Sequence, residues 1–571
     1  MRSNWPLILT LLLAPLIAAW PLPTAWANTW LTTPFGEAVI HVWGLWTVAS
    51  SANLFAIETQ AIAWPAGVEA VLADPINLGW FVLGWPFGPE AAYNTIIYGN
   101  LVVMGVAGIC LARSVGGHPM LGLLAAVINP SVLGAATGGI TEQLTIGWLG
   151  IFLAALLQAL RTPDSRWSLA AGVLLAVTVA SGPYIAVWAA ICATAIGLAH
   201  LRQRQSWRPL ATTAALGALL ASPLIHAILT GRIAGQPGTS GMARFLLNPP
   251  AANTSIFRGG TRFGTDLTDP FFPIGMTGGA TTPTYTAYLG IAALLLATVV
   301  IIRRRQHWPW LVGALGFAVL SLGPWLMWKG APVVVNGDAI AAPVGWLAQS
   351  FESVGRISHW HRAGGVAALL LVPLVSLIPR VLPSPVVLPA AAALLMLDRV
   401  YGSPVSWPLP TMQSPSMAAH SPLINDPGPV LVQPTRFPDI PPPRARFRDP
   451  ALLAQLYHHR AISEAGAMGH GLSKGALHAN NALERLAAEG RVDHGHRTAL
   501  TGPGYRWLAV YTSQMRSDAR RDARWAACLG APVTQDGWVR IYDLSPGIHP
   551  ACLSGGPSIS GPPSPEGPET F

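Results

Sequence analysis

Three carboxylates stand where an acid is expensive. Glu37 follows Gly36 soon after the first apolar run, and His41 comes four residues later, so the two share a face if that stretch is helical. Asp74 opens Asp74-Pro75-Ile76-Asn77, and Glu142 closes Gly138-Gly139-Ile140-Thr141-Glu142 at the mouth of another apolar run. An ionisable group beside a membrane-like segment costs free energy unless it has a partner or a task. Each acid also has a plain reading. Glu37 can cap a helix, Asp74 can cap the turn at Pro75, and Glu142 can sit in water.

A second group is cationic: Arg356, His359, His361 and Arg362 in Arg356-Ile-Ser-His-Trp-His-Arg362. Guanidinium matches phosphate oxygens, so this group suits a lipid phosphate or pyrophosphate. It equally suits an anchor that snorkels to headgroups. Asp266 and Asp269, in Thr265-Asp266-Leu267-Thr268-Asp269-Pro270, offer hard oxygen ligands to a divalent cation. The plain reading there is a solvated polar loop. His458, His459, His494 and His496 lack a zinc-like spacing with cysteine. There is no phosphate-binding loop with Lys-Ser/Thr, no nucleophile elbow and no H-E-x-x-H helix. These gaps argue against an ATP-driven pump and an intramembrane zinc protease.

The elements that must position these residues are apolar. The chain has 571 residues, 51% hydrophobic and 10% charged, where a soluble domain carries about 25% charge. Its pattern predicts spans at 5–26, 91–112, 119–137, 143–160, 168–182, 184–200, 209–230, 284–302, 308–328, 362–379 and 383–398. The stretch 168–200 is too long for one crossing and is divided at Ser181-Gly182-Pro183.

With the N-terminus inside, the inner loops and tail hold Arg2, Arg113, Arg161, Arg166, Arg202, Arg204, Arg208, Arg303, Arg304, Arg305 and Arg380, with Asp164 the one acid among them. Every short loop follows the positive-inside bias. The net charge of +9 is therefore largely a loop bias and not a nucleic-acid footprint. Residues 399 onward then lie outside the cytoplasm. Met1 to Ala27 also reads as a signal peptide ending in Ala25-Trp26-Ala27. A retained helix is favoured, and both readings put Asn28 onward outside.

The expected organisation is a membrane domain over 1–398, a Pro-rich connection over 399–450, a small extracytoplasmic α/β domain over 451–554 and a disordered tail over 555–571. Within the first, the outer segment 27–90 carries Trp43, Trp46, Trp80 and Trp85 and is expected to lie along the outer leaflet as interfacial helices. The polar outer segment 231–283 is expected to be a functional loop or lid. Candidate outer-domain strands are Val430 to Gln433, Trp507 to Tyr511 and Trp538 to Tyr542. Cys528 and Cys552 can pair there if that part is extracytoplasmic. Cys110 and Cys192 lie in apolar spans and read as packing residues.

Taken together, these pieces resemble the GT-C superfamily of membrane glycosyltransferases. The closer resemblance is to bacterial YfhO-type membrane proteins grouped with it. The matching pieces are Gly36-Glu37 with His41 and Trp43, Trp64-Pro65-Ala66-Gly67 followed by Asp74-Pro75, Gly139 to Glu142, Tyr288-Leu289-Gly290, Arg356 to Arg362, and Leu456-Tyr457-His458-His459-Arg460. The resemblance implies a polytopic α-helical membrane protein with about 11 transmembrane helices and an outer C-terminal domain.

It implies an enzyme of a bacterial inner membrane. A sugar would pass from a polyprenyl-phosphate carrier to an envelope glycan, lipid or protein acceptor on the extracytoplasmic face, with no nucleic-acid partner. In that reading Glu37 is the general base and Asp74 a second acid. Arg356 and Arg362, with His359, stabilise the leaving phosphate. His41 and Glu142 complete the substrate-binding set. A divalent cation is the one candidate cofactor, with Asp266 and Asp269 as its candidate ligands. The first-loop acid of relatives is often Asp; Glu37 is one methylene longer, so base, metal ligand or neither stay open. The alternative is a non-enzymatic transporter, flippase or assembly factor for envelope glycans or lipids. It ranks lower because the spans hold almost no charges and the chain shows no internal repeat.

Overall fold

Proline starts the helices of the membrane unit and glycine lets them pack. The computed structural model describes residues 5–553 except 35, 52–55, 63, 65–66, 72–73, 163–164, 201–206, 231–264, 272–285, 329–330, 351–358, 434–448, 464–473, 513–514 and 516–517. The helices Pro89–Ser114, Pro119–Val127, Pro130–Gly138 and Pro183–His200 each open on a proline, whose missing N–H costs nothing in a first turn. The break expected at Ser181-Gly182-Pro183 is present, between Ser165–Ala180 and Pro183–His200. A second break falls at Asn129-Pro130, where the Asn129 side chain accepts from the Ser131 N–H and donates to the Gly365 carbonyl at 3.0 Å.

Each expected span holds a helix. Among the described residues, six helices are long and apolar enough to cross a membrane by length and composition: Pro89–Ser114, Pro119–Gly138, Thr141–Arg161, Pro183–His200, Trp207–His226 and Trp360–Val381. Shorter apolar helices include Trp5–Ala18, Ser165–Ala180 and Ile291–Arg303. The chain is a multi-pass helical membrane protein. Helices Pro89–Ser114 and Pro119–Val127 meet at Gly108 and Gly122, where a Cβ on Gly108 would lie 2.1 Å from the Gly122 carbonyl oxygen. Small residues at such a crossing let two backbones approach.

The outer segment does hold the expected helices, Ala38–Ala49 and Leu78–Gly84. Twelve residues rise about 18 Å, too short to cross a hydrocarbon core. The expected lid over 231–283 falls mostly outside the described residues. Asp266 and Asp269 lie in a described turn.

The chain divides into two compact units, and the boundary differs from the expected one. The membrane unit runs to Ser414, and the second unit gathers the chain from Pro415 together with Ile57–Ala70. The start moves back from 451 because Val430–Gln433 is a strand of the second unit's sheet. It pairs in parallel with Trp507–Val510, with Val430 opposite Trp507. Arg540–Asp543 and then Thr534–Gln535 extend the sheet antiparallel. Helices Lys474–Glu489 and Ala519–Leu529 flank it over a core that includes Leu431, Leu483, Leu508, Trp525 and Tyr542. Cys528 and Cys552 form a disulfide there.

The piece from the first outer segment joins this unit through main-chain bonds. The Ile462 N–H donates to the Ala61 carbonyl at 2.9 Å, and the Trp64 N–H donates to the Ile462 carbonyl at 3.1 Å. Gln455 Nε2 also donates to the Ala61 carbonyl, at 2.6 Å. Segments packed in one unit lie on one side of a bilayer, so an even number of crossings separates them. The spans expected between residues 91 and 398 satisfy that.

Candidate active site

Two loops of the membrane unit touch backbone to backbone and bring the first acid to the third. The Glu37 N–H donates to the Gly138 carbonyl at 2.7 Å. Gly139 ends the helix Pro130–Gly138 at φ 77°, and a Cβ there would lie 2.0 Å from the Ala38 nitrogen. Glycine is required at 139 both for its positive φ and for this contact.

Glu37 stands at the first position before the helix Ala38–Ala49 but makes no side-chain cap. The capping reading is thereby overturned. Its carboxylate instead faces His41, one turn on, with Glu37 Oε2 3.9 Å from His41 Nε2. The same imidazole nitrogen lies 3.2 Å from Glu142 Oε2. Glu142 is not in water either: its side chain is 11% exposed, and Oε1 is 2.8 Å from Arg362 Nη2. Glu37, at 30%, is the more accessible carboxylate of the two.

Asp74 is buried. Its Oδ2 accepts from Asn77 Nδ2 at 2.8 Å and from the Thr141 hydroxyl. Asn77 in turn accepts from Asn100 Nδ2, at 2.7 Å, on the helix Pro89–Ser114. Asp74 precedes Pro75 without a side-chain cap, so its carboxylate belongs to this network.

The cationic group is only partly in view, since Arg356 lies outside the described residues. Arg362 is buried. Its guanidinium carbon sits 4.4 Å from the centre of the Tyr184 ring, and the Tyr184 hydroxyl is 2.9 Å from His359 Nδ1. Arg362 Nε and Nη1 are buried with no hydrogen-bond partner among the described residues. His361 is buried beside them, its ring 5.7 Å from that of His359.

Charge sets the protonation of the outer members. Burial opposes a charge on His41, but the Glu142, Glu37 and Asp74 carboxylates outweigh it and push the imidazole up to about 9. At neutral pH it is an imidazolium. Burial pushes the Asp74 carboxyl up, against the pull of His41 and of the bonds from Thr141 and Asn77.

His41, Asp74 and Glu142 each offer one ligand atom, all within 4.8 Å of one another. Two carboxylates and an imidazole are a donor set that fits a divalent cation. Asp266 and Asp269 do not join such a group among the described residues. Asp269 Oδ2 accepts from the Asp266 N–H at 3.0 Å, and Asp266 Oδ1 accepts from the Thr268 N–H at 3.3 Å. Among the described residues, the group whose atoms could hold a cation is the one around His41.

The residues not singled out in the sequence are Tyr184, Asn77, Asn100, Thr141 and Gln143, whose Nε2 donates to the Arg362 carbonyl at 3.2 Å. Asn77 and Thr141 sit inside the motifs already marked. Nothing in the sequence marks Tyr184 beyond its place after the Gly182-Pro183 break.

Aligned with solved structures, the chain matches the arabinofuranosyltransferase AftD from mycobacteria over 95% of its own length, with TM-score 0.57 and 16% identity. It shares the fold of that membrane protein over this length. The chain spans 40% of the AftD chain's length. Two further structures align at scores too low to carry an argument. These are the Archaeoglobus fulgidus oligosaccharyltransferase (TM-score 0.47, 12% identity, 89% of this chain and 70% of that one) and Cupriavidus metallidurans ArnT bound to undecaprenyl phosphate (TM-score 0.41, 11% identity, 95% and 98%). No family model matches the sequence, and no curated protein does. The likeness of fold to AftD is thus carried by the structure, and the closer likeness to YfhO-type proteins rests on the sequence motifs alone.

Proposed function

We propose that this protein is a membrane glycosyltransferase that moves a sugar from a polyprenyl-phosphate donor to an acceptor hydroxyl on the extracytoplasmic face of a bacterial inner membrane. The observation that carries this reading is Arg362. It is a buried guanidinium with two nitrogens lacking hydrogen-bond partners among the described residues, in a cluster that also holds an accessible carboxylate. Buried unsatisfied donors are costly, and an anion entering the cluster would satisfy them.

In this mechanism the acceptor oxygen forms a bond to the anomeric carbon as the bond from that carbon to the carrier phosphate oxygen breaks. The electron pair leaves with the phosphate. Glu37 takes the acceptor proton, because a hydroxyl is a poor nucleophile at neutral pH. Arg362, aided by His359, offsets the charge that develops on the leaving phosphate. The His41 imidazolium lies between Glu37 and Glu142 and favours their ionised forms. Asp74, held through Oδ2, presents its second oxygen to the cluster. A divalent cation held by His41, Asp74 and Glu142 would require the neutral imidazole and would then supply the positive charge in its place. The disulfide Cys528–Cys552 supports an oxidising, extracytoplasmic setting for the second unit.

The test is transfer of radiolabelled sugar from a panel of polyprenyl-phosphate donors by purified protein in lipid nanodiscs, with Glu37→Gln as control. Label in product with the native protein and none with the variant is expected. Binding of donors without turnover across the panel would move the reading to a carrier or flippase.

A further inference from the structure

Tyr184 touches both groups assigned to the leaving phosphate, through different parts of one side chain. Its ring carries the Arg362 guanidinium at 4.4 Å. Its hydroxyl meets His359 Nδ1 at 2.9 Å, with the two rings edge to face at 85°. The residue is placed by the turn at Ser181-Gly182-Pro183. Gly182 takes φ 143° there, and the Thr145 hydroxyl, which also lies 2.7 Å from the Glu142 carbonyl, is 2.9 Å from the Ser181 carbonyl. The turn before Tyr184 is thus tied to the turn after Glu142.

One helical turn further, Trp188 lies on the same face of Pro183–His200. It packs on Trp360 with ring centres 5.6 Å apart and is fully buried. Trp188 therefore fixes the height of the helix against the segment that bears His359 and Arg362. Tyr184 then fixes the guanidinium and the imidazole themselves.

We infer that Tyr184 is the positioning residue of the donor-phosphate site: its ring holds the Arg362 guanidinium flat, and its hydroxyl, donating to Nδ1, orients the His359 imidazole with its ring proton on Nε2. This rests on the glycosyltransferase reading above. A guanidinium on an aromatic face is held in one plane. With Nη2 on Glu142, its remaining nitrogens keep a defined direction. An imidazole whose Nδ1 accepts from a hydroxyl carries its proton on the other nitrogen. Tyr184 makes no proton transfer of its own. It acts on how tightly the carrier phosphate is held.

Three variants separate the parts. Tyr184→Phe keeps the ring and removes the hydroxyl, Tyr184→Leu removes both, and Arg362→Gln removes the charge. Binding of farnesyl phosphate to the full chain in nanodiscs is measured for each, beside KM and kcat for the polyprenyl-phosphate-sugar donor. Loss of one hydrogen bond to a charged site should weaken farnesyl phosphate binding and raise donor KM about 5-fold to 30-fold in Tyr184→Phe. kcat should stay within about 2-fold, the signature of lost uniform binding. Tyr184→Leu should lose more, and Arg362→Gln should abolish binding. Wild-type affinity and KM in Tyr184→Phe, with binding lost in Arg362→Gln, would overturn the role of Tyr184 and spare the glycosyltransferase reading. A native protein that neither binds farnesyl phosphate nor transfers sugar would overturn both.

Discussion

Glu142 and Arg362 form an ion pair 2.8 Å long, with side chains only 11% and 5% exposed. The two residues are 220 positions apart on the chain, one more than the 219 that the neighbouring bond from Gln143 to Arg362 spans. A buried pair of this kind is weak evidence for stability as it stands, because desolvation offsets the attraction. Breaking it is another matter. Glu142→Ala leaves a buried guanidinium without its counter-charge and should destabilise the membrane unit by about 3–5 kcal/mol. Thermal unfolding in detergent would show it. The double variant Glu142→Gln with Arg362→Met should recover much of the loss, and no recovery would mean that the pair is not the cause.

Glu37 should behave in the opposite way. Its carboxylate caps nothing and is 30% exposed, so Glu37→Gln should leave the melting temperature close to native. If Glu37 is the base, transfer should fall about 100-fold to 10,000-fold. Native turnover in this variant would remove Glu37 from the chemistry.

Stability should depend on pH through His41. Its imidazole loses its proton near 9 in the folded protein and near 6.5 in an unfolded chain. The folded state therefore binds the proton more tightly. The contribution is whole below pH about 6.5, declines as pH rises, and is gone above about 9. Melting temperature measured from pH 6 to 10 should fall across that window, and His41→Asn should flatten the curve. A native profile that is already flat would contradict the imidazolium.

Reduction should weaken the second unit. The Cys528–Cys552 bridge spans 24 residues, a loop worth about 3 kcal/mol by chain entropy. Cys528→Ser should lower that unit's unfolding midpoint, and alkylation of the native protein without reductant should leave both cysteines unlabelled. Labelling of both in freshly prepared membranes would show that the bridge does not form in the cell.

Much of this was legible in the residues because its causes are local. Apolar length and Pro-Gly breaks predict the helices, and carboxylates beside apolar runs are costly enough to betray Glu37, Asp74 and Glu142. The plain readings failed for all three because capping and hydration are local guesses. Glu37 faces His41 one turn on, the backbone contact at Gly138 and Gly139 brings that pair to Glu142, and Arg362 reaches Glu142 from a distant segment. Tyr184 was hidden for a related reason: a lone tyrosine after a turn looks like any other. The docking of residues 57–70 left no trace at all. It runs largely through main-chain N–H and carbonyl groups, which every residue possesses, so no side-chain pattern could announce it.

That docking has a consequence for synthesis. Ala61 and Gln455 are 394 residues apart, which at about 5–20 residues per second is roughly 20–80 s of translation. Ala61 must wait for its partner while every intervening helix is threaded. A chain that skips one insertion would strand the two halves on opposite faces, and its second unit could not close. Completion of that unit is therefore a parity check on the insertion of the rest.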